Sequence, residues 1–288
     1  LKSISFFKGL GTYFDKVQRM RKLGGMISDE LLISKEKVEL SASICKTDLT
    51  SDLVGEFPEL QGIMGGYFAL HQGFDKDISF AITEQYLPIG LDSKIPKKLF
   101  SVALSITDKI DTLVGFFGAN EKPSSSKDPF ALRRIALGII RTIIENKKNL
   151  RVNDLLNYSS SLYQDQGHNF SNKNLSKDLH NFLKDRFKYY MKEKQIRFDI
   201  IDASISSFSL NKLFSSFEKA KSLNKIINNQ EGLDITLSYK RASNILDNEL
   251  KNNEVEITNT TDPGIFKTDF EKNLYKKITE IKKYYAGI

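Results

Sequence analysis

The sequence has few of the residues that build covalent cross-links, metal cages or membrane spans. It contains one cysteine, Cys45, so it can form neither an intramolecular disulfide nor a thiolate metal cage. Cys45 lies in an apolar helical pattern, which predicts a small core residue in a reducing, cytoplasmic location. No apolar run reaches the roughly 20 residues that cross a bilayer, and the start, LKSISFFKGL, lacks the apolar region and cleavage site of a signal peptide.

Histidines are scarce as well. The three present are His71, His168 and His180, and none of them is followed by aspartate. Cys45 has no histidine near it in the sequence, and no Gly-x-Ser-x-Gly elbow occurs. The sequence therefore offers no catalytic triad, and we predict no catalytic residue in it.

Positive charge is what the chain has in excess. The formal net charge is +7 and the isoelectric point is about 9.1, which favours polyanionic partners such as nucleic acid. An AT-rich genome also produces lysine-rich and asparagine-rich proteins, so charge alone leaves this open. The 288 residues, 40% hydrophobic and 27% charged, fit a globular protein of one large or two ordinary domains.

Hydrophobic periodicity predicts an all-α fold. Apolar residues recur at steps of three and four, the spacing of one helical face, over 99–117, 129–144, 175–190 and 270–281. The clearest period-two alternation, 254–257, is only four residues long. Residues 118–128 are rich in Gly, Pro and Ser and predict a loop, and the polar stretch 247–263 predicts a surface excursion between helices.

Two aspartates stand where a helical metal site would need them. Phosphohydrolases of the HD superfamily hold a metal with a histidine, an adjacent His-Asp pair and a distant aspartate, all on helices. Asp48 and Asp108 occupy comparable helical positions here, but Thr47 precedes Asp48 and no histidine accompanies either carboxylate. We therefore expect no metal, and interpret both as degenerate positions that make structural hydrogen bonds or ion pairs.

A glycine-rich run, GEFPELQGIMGGYFAL, spans residues 55–70. Its glycines could form a phosphate-binding loop or allow close helix packing. The spacing matches neither a P-loop nor a dinucleotide fingerprint, which favours packing.

Two basic segments are candidate RNA contacts. In KDPFALRRIALGIIR, helical spacing puts Arg134 and Arg141 on one face with Arg133 beside them, where they could straddle phosphates. The alternative is a solvated face with pairs such as Arg141 and Glu145. In FLKDRFKYYMKEKQIRF, a lysine ladder is interleaved with aromatics that suit base stacking, or that instead belong to the core. That ladder and its aromatics are Lys184, Lys188, Lys192, Phe187, Tyr189 and Tyr190.

Several strings together resemble the β subunit of bacterial two-subunit glycyl-tRNA synthetase. They are GLGTYFDKVQRM at 9–20, KTDLTSDLVGEFPELQGIMGGYFAL at 46–70, ITDKIDTLVGFFG at 106–118 and SKDPFALRRIALGIIR at 126–141, in the order that family has them. LKDRFKYYMKEKQIRFDIIDA at 183–203 and YKRASNIL at 239–246 resemble its anticodon-binding part. Where the family often has Glu-His-Tyr, this chain has Glu84-Gln85-Tyr86, which removes another possible histidine ligand.

The resemblance implies an HD-like helical domain over 1–150 and a C-terminally truncated, helical anticodon-binding-like domain over 151–288. It implies part of a cytoplasmic enzyme that uses ATP to join glycine to its tRNA, with no membrane or DNA partner. In that family two α and two β subunits assemble, and the adenylate chemistry, with its ATP and Mg, belongs to the α subunit. The expected partners are therefore the tRNA for glycine and the α subunit, and no cofactor is expected in this fragment.

We predict that RNA is held by the basic residues of these matching segments: Lys127, Arg133, Arg134, Arg141, Lys184, Lys188, Lys192, Lys240 and Arg241. Two alternatives stay open at this point. One is an HD-type metal-dependent phosphohydrolase, and the other is a helical scaffold that mainly contacts the α subunit.

Overall fold

The chain folds into α-helices joined by short turns and loops. A computed structural model describes residues 1–206, 208–252 and 261–286. Within these ranges the β pairing is limited to an isolated antiparallel bridge between Ser5 and Thr12, so the predicted all-α fold is confirmed. Contacts divide the chain into two compact units, Leu1–Asn228 and Asn229–Ile288.

The first unit contains eleven α-helices among its described residues. They are α1 (Tyr13–Leu31), α2 (Lys35–Ile44), α3 (Asp52–Glu56), α4 (Ile63–His71), α5 (Lys76–Glu84), α6 (Leu99–Gly118), α7 (Leu132–Glu145), α8 (Val152–Asp165), α9 (Leu175–Glu193), α10 (Phe198–Ile205) and α11 (Leu213–Ile227). Residues on both sides of position 150 belong to this unit. The predicted division into an HD-like and an anticodon-binding-like domain stays a prediction.

Helix α6 forms the centre of the first unit. It packs against α1, α2, α5, α7, α8 and α9, and nearly all of its residues are buried. A helix covered on all sides must be apolar around its whole circumference. Three charged residues nevertheless lie within it, Asp108, Lys109 and Asp111, and each requires a buried partner.

The glycines of the 55–70 segment allow α4 to lie directly on α5. A Cβ at Gly66 would collide with Thr83 and would approach the Ser79 carbonyl oxygen to 2.8 Å, and a Cβ at Gly65 would meet Ile82 at 2.9 Å. The preferred interpretation, close helix packing, is therefore confirmed at these two positions. Gly55 has open space around it and takes no part in this contact.

Two helix boundaries differ from the sequence prediction. Helix α7 begins at Leu132 instead of residue 129, because Ala131 adopts a left-handed conformation with φ 54°. Asp128 still caps the helix, and its carboxylate accepts from the backbone N–H groups of Leu132 at 2.8 Å and Arg133 at 3.0 Å. Residues 247–252, predicted to lie in a loop, continue a helix, and 253–260 lie outside the described residues.

The second unit contains α12 (Gln230–Asn252) and α13 (Asp269–Ala286) among its described residues. Helix α13 confirms the helix predicted over 270–281. Helices α6 and α9 confirm those predicted over 99–117 and 175–190, respectively. Large apolar side chains of this unit are exposed, including Ile235, Tyr239 and Leu274. Lys240 and Arg241 lie exposed on α12.

Candidate nucleic-acid interface

A basic groove lies between the loop after α5, the first turn of α7 and the middle of α9. Its cavity of about 410 Å³ is lined by Ile89, Gly90, Leu91, Arg133, Arg134, Leu137, Arg186 and Tyr189. Three guanidinium groups and one phenol ring therefore surround one opening, and the exposed side chains of Ile89 and Leu91 provide apolar surface beside them. We call this set of residues the arginine groove.

Arg141 binds the backbone of the loop that forms one wall of the arginine groove. Its guanidinium donates to the carbonyl oxygens of Gly90 at 2.7 Å and Ser93 at 2.9 Å, and its Nε pairs with Glu145 at 2.9 Å. Each guanidinium nitrogen thus has an acceptor inside the protein, and the residue is only 8% exposed. The structure gives Arg141 the intramolecular pair with Glu145 that the sequence offered as the alternative to an RNA contact.

Arg133 and Arg134 face the groove from the start of α7. Arg133 donates to the Ser124 carbonyl oxygen and lies 3.9 Å from the Asp128 carboxylate. Arg134 is exposed and donates one bond, at 3.4 Å, to the Ile89 carbonyl oxygen. Arg134 therefore keeps most of its five N–H donors available for a ligand.

Arg186 completes the groove, and the sequence analysis missed it. Its guanidinium lies 5.7 Å from the centre of the Tyr189 ring, three residues further along α9. Its Nε is buried and has no hydrogen-bond partner among the described residues. The i,i+3 spacing of an arginine and a tyrosine was the available signal, but nothing in the sequence showed that this flank of α9 meets the first turn of α7.

The lysine ladder of α9 does not line the arginine groove. Lys188 follows Arg186 by two residues, a rotation of about 200° around the helix. Its ammonium group pairs with the Asp202 carboxylate at 3.5 Å. Lys184 is half-buried and Lys192 is exposed. The structure therefore does not bring this ladder together with Arg133 and Arg134.

The aromatic residues interleaved with the ladder divide between core and surface. Phe187 is fully buried and stacks on Phe208, and Tyr190 is 4% exposed and packs on Phe217. For these two, the core interpretation is confirmed. Of these three aromatic residues, Tyr189 is the one that lines the arginine groove, and it is half-buried.

Asp108 lies in a buried cluster of opposite charges. Its carboxylate pairs with Lys16 at 3.1 Å and Lys46 at 3.2 Å. Asp111, one turn further along α6, pairs with Lys16 at 3.0 Å and Arg19 at 2.7 Å. Burial alone would raise the pKa of Asp108, but the neighbouring ammonium groups hold it well below its usual range.

Asp48 has a different role, in a short 3₁₀ turn over Thr47–Thr50. Its Oδ2 accepts from the backbone N–H of Gly62 at 2.6 Å, which fixes the start of α4. Gln85, which replaces the expected histidine, is buried and donates to the Cys45 carbonyl oxygen at 2.8 Å. Across the described ranges, no three His, Cys, Asp or Glu side chains group as a metal site would require.

Lys109 is a third buried ammonium group beside Asp108. It donates to the Leu87 carbonyl oxygen at 2.7 Å and to Ser105 Oγ at 2.8 Å. Burial lowers the pKa of Lys109 to about 7, the positive charge of Lys46 adds to this, and Asp108 opposes it only in part.

Most of the chain matches one protein family. Residues 1–206 match the family model described as glycyl-tRNA synthetase beta subunit. The chain belongs to this family. Its members named glycine--tRNA ligase beta subunit include proteins from Rickettsia canadensis (strain McKiel), 40% identical over 98% of this chain, and Paracoccus denitrificans (strain Pd 1222), 36% identical over 96%.

This family member spans about two fifths of the length of those relatives, 39% and 38% respectively. The family match ends at residue 206 and so includes the arginine groove and the Asp108 cluster. Lys127, near the groove in sequence, is exposed, whereas Lys240 and Arg241 belong to the second unit. None of the described helices combines the length and hydrophobicity required for membrane crossing.

Proposed function

We propose that this chain is a tRNA-holding part of a glycine–tRNA ligase β subunit, and that the arginine groove receives the RNA. The observation that carries the proposal is the convergence of Arg133, Arg134 and Arg186 on one opening beside Tyr189. Guanidinium groups bind phosphate oxygens in a planar, bidentate geometry, and an adjacent aromatic ring can stack on a base.

The charge of the groove supports an RNA backbone as its ligand. The lining has three basic residues and no acidic one, and the whole chain carries a formal net charge of +7. Arg133 lies 3.9 Å from the Asp128 carboxylate, too far for a tight pair. Neutralisation by phosphates is the natural use of such a surface.

In this proposal the chain performs no chemical step. The activation of glycine with ATP and Mg belongs to an α subunit, and two α and two β subunits assemble into the working cytoplasmic ligase. The chain contributes binding energy, and it positions the tRNA relative to that active site.

The test is tRNA binding by an Arg186→Gln variant of the full chain. Fluorescence anisotropy with a labelled glycine tRNA should show a dissociation constant roughly 5-fold to 30-fold larger, as expected for the loss of one charge-assisted contact of about 1–2 kcal/mol. Lys188→Gln, on the opposite flank of α9, is the matched control and should change it less than twofold. Equal weakening in both variants would refute the placement of RNA in the groove.

A second candidate function, a scaffold for the α subunit, is favoured by a separate surface. Helices α4 and α5 expose Ile63, Tyr67, Leu70 and Phe80 around a cavity of about 460 Å³. Exposed apolar patches of this kind often mark protein interfaces. Co-purification with an α subunit, compared between the parent chain and Tyr67→Glu, tests this, and unchanged recovery would count against it.

A further inference from the structure

A second cavity, of about 470 Å³, opens next to the arginine groove and shares Ile89 and Arg134 with it. Its lining includes the buried ammonium groups of Lys16, Lys46 and Lys109, together with Asp108 and Tyr86. Buried charges normally satisfy one another completely. The hydrogen bonds of each group therefore show whether any of them remains available to a ligand.

Two of the three ammonium groups are fully occupied. Lys16 donates to Asp111 at 3.0 Å and to Thr112 Oγ1 at 2.8 Å, and it pairs with Asp108. Lys109 donates to two carbonyl oxygens and to Ser105 Oγ. An ammonium group has three N–H donors, so neither residue has one to spare.

Lys46 differs from its neighbours. It pairs with Asp108 at 3.2 Å and donates to the Tyr86 hydroxyl at 2.8 Å, and only 2% of its side chain is exposed. Among the described residues it has no third oxygen partner, although its ammonium also lies 4.1 Å from the centre of the Tyr86 ring. One N–H of a nearly fully buried cation thus remains without an oxygen acceptor at the cavity wall.

Tyr86 lies at the same place. Its hydroxyl oxygen accepts from Lys46 at 2.8 Å and lies 2.5 Å from the side-chain amide of Gln61. The hydroxyl group therefore lines the cavity directly beside the free N–H of Lys46.

We propose that this cavity binds a phosphate group, with Lys46 and Tyr86 as the donors that hold it and Arg134 at its mouth. The free N–H of buried Lys46 and the neighbouring Tyr86 hydroxyl, close to Lys16 and Arg134, suit an oxygen-rich anion. Two carboxylates also line the cavity. Asp108 is compensated by Lys16 and Lys46, and Glu59 is exposed to solvent. The phosphate belongs either to a free phosphomonoester or to an RNA end, and it is bound without being hydrolysed.

The test is calorimetric titration of the full chain with inorganic phosphate in a chloride buffer. We expect saturable binding of one phosphate with a dissociation constant below about 1 mM, the range of a few charge-assisted hydrogen bonds. Tyr86→Phe and Lys46→Met should each weaken it at least tenfold. Lys8→Met, which removes the same charge from an exposed position, should change it less than twofold.

Tyr86→Phe conserves the shape of the ring and keeps the test decisive if Lys46→Met does not fold. Absence of saturable binding, or equal binding by all three variants, would overturn the proposal. Arg186→Gln should bind phosphate as the parent does, so failure of the phosphate site is distinguishable from failure of the RNA groove. Short RNAs with 5′-phosphate and 5′-hydroxyl ends identify the source of the phosphate. If the phosphorylated RNA binds more tightly, and Tyr86→Phe abolishes that difference, the ligand is an RNA end. If both RNAs bind equally, the ligand is a free phosphomonoester.

Discussion

The buried ammonium of Lys109 should make the stability of the protein depend on pH. Its pKa falls from 10.5 to about 7 in the folded chain because burial disfavours the charged form. Below pH 7 the group is protonated in both the folded and the unfolded state. Between pH 7 and 10.5 only the unfolded chain holds the proton, so unfolding takes up a proton and the folded state gains stability as the pH rises.

The size of this effect follows from the linkage relation. A full difference of one proton is worth about 1.4 kcal/mol per pH unit. Because the folded group is half protonated near pH 7, the gain from pH 7 to 8.5 is about 1.5 kcal/mol. Burial raises the pKa of Cys45 from 9.0 to about 12. Above pH 8.5 the unfolded chain therefore loses the thiol proton that the folded chain keeps, which lowers the free energy of unfolding, so the measurement should stop at pH 8.5.

Urea unfolding followed by circular dichroism at pH 7 and 8.5 measures this change. The parent chain should gain about 1.5 kcal/mol more than Lys109→Met, in which the titrating group is absent. Comparing the two proteins cancels contributions from titrating groups distant from Lys109, and Asp108, its charged neighbour, stays ionised throughout this pH range. A parent and a variant with the same pH dependence would refute the assignment of a depressed pKa to Lys109.

Two further predictions concern packing and buried charge. Gly66→Ala should lower the free energy of unfolding by about 1–3 kcal/mol, because the new Cβ collides with Thr83. Gly55→Ala is the control and should change the free energy of unfolding little, because Gly55 has open space around it. Urea unfolding of the two variants measures the difference. Asp111→Asn should lower the free energy of unfolding by about 3–5 kcal/mol, because it leaves the buried cations of Lys16 and Arg19 without this carboxylate. Asp178→Asn, which breaks an exposed pair with Lys122, is the control, and equal losses in thermal denaturation would contradict the argument.

Long helices were the part of the fold that the sequence predicted well. The apolar faces of α6 and α9 repeat over 20 and 19 residues, so their periodicity is unambiguous. The start of α7 was wrong by three residues because Asp128 caps through its side chain while Ala131 leaves the helical region. Local patterns do not reveal such a cap, since Asp-Pro is equally consistent with an earlier start.

The candidate site was predictable only in part. Arg133 and Arg134 were found because the sequence places them together at the beginning of one helix. The internal role of Arg141 depends on a loop some 50 positions earlier in the chain, whose carbonyl oxygens it binds. Arg186 was missed for the same reason: helical spacing defines which residues share a flank of α9, but tertiary packing decides which flank meets α7.

The central claim is that the arginine groove, and not the lysine ladder of α9, holds the RNA backbone. The most direct measurement is the salt dependence of glycine-tRNA binding by two triple variants of equal charge change. One replaces Arg133, Arg134 and Arg186 with glutamine, and the other replaces Lys184, Lys188 and Lys192. Each phosphate contact contributes about 0.7–0.9 to the slope of log affinity against log salt concentration. We expect the groove variant to lose roughly 2–3 from that slope while the ladder variant keeps it, and a loss in the ladder variant alone would contradict the account.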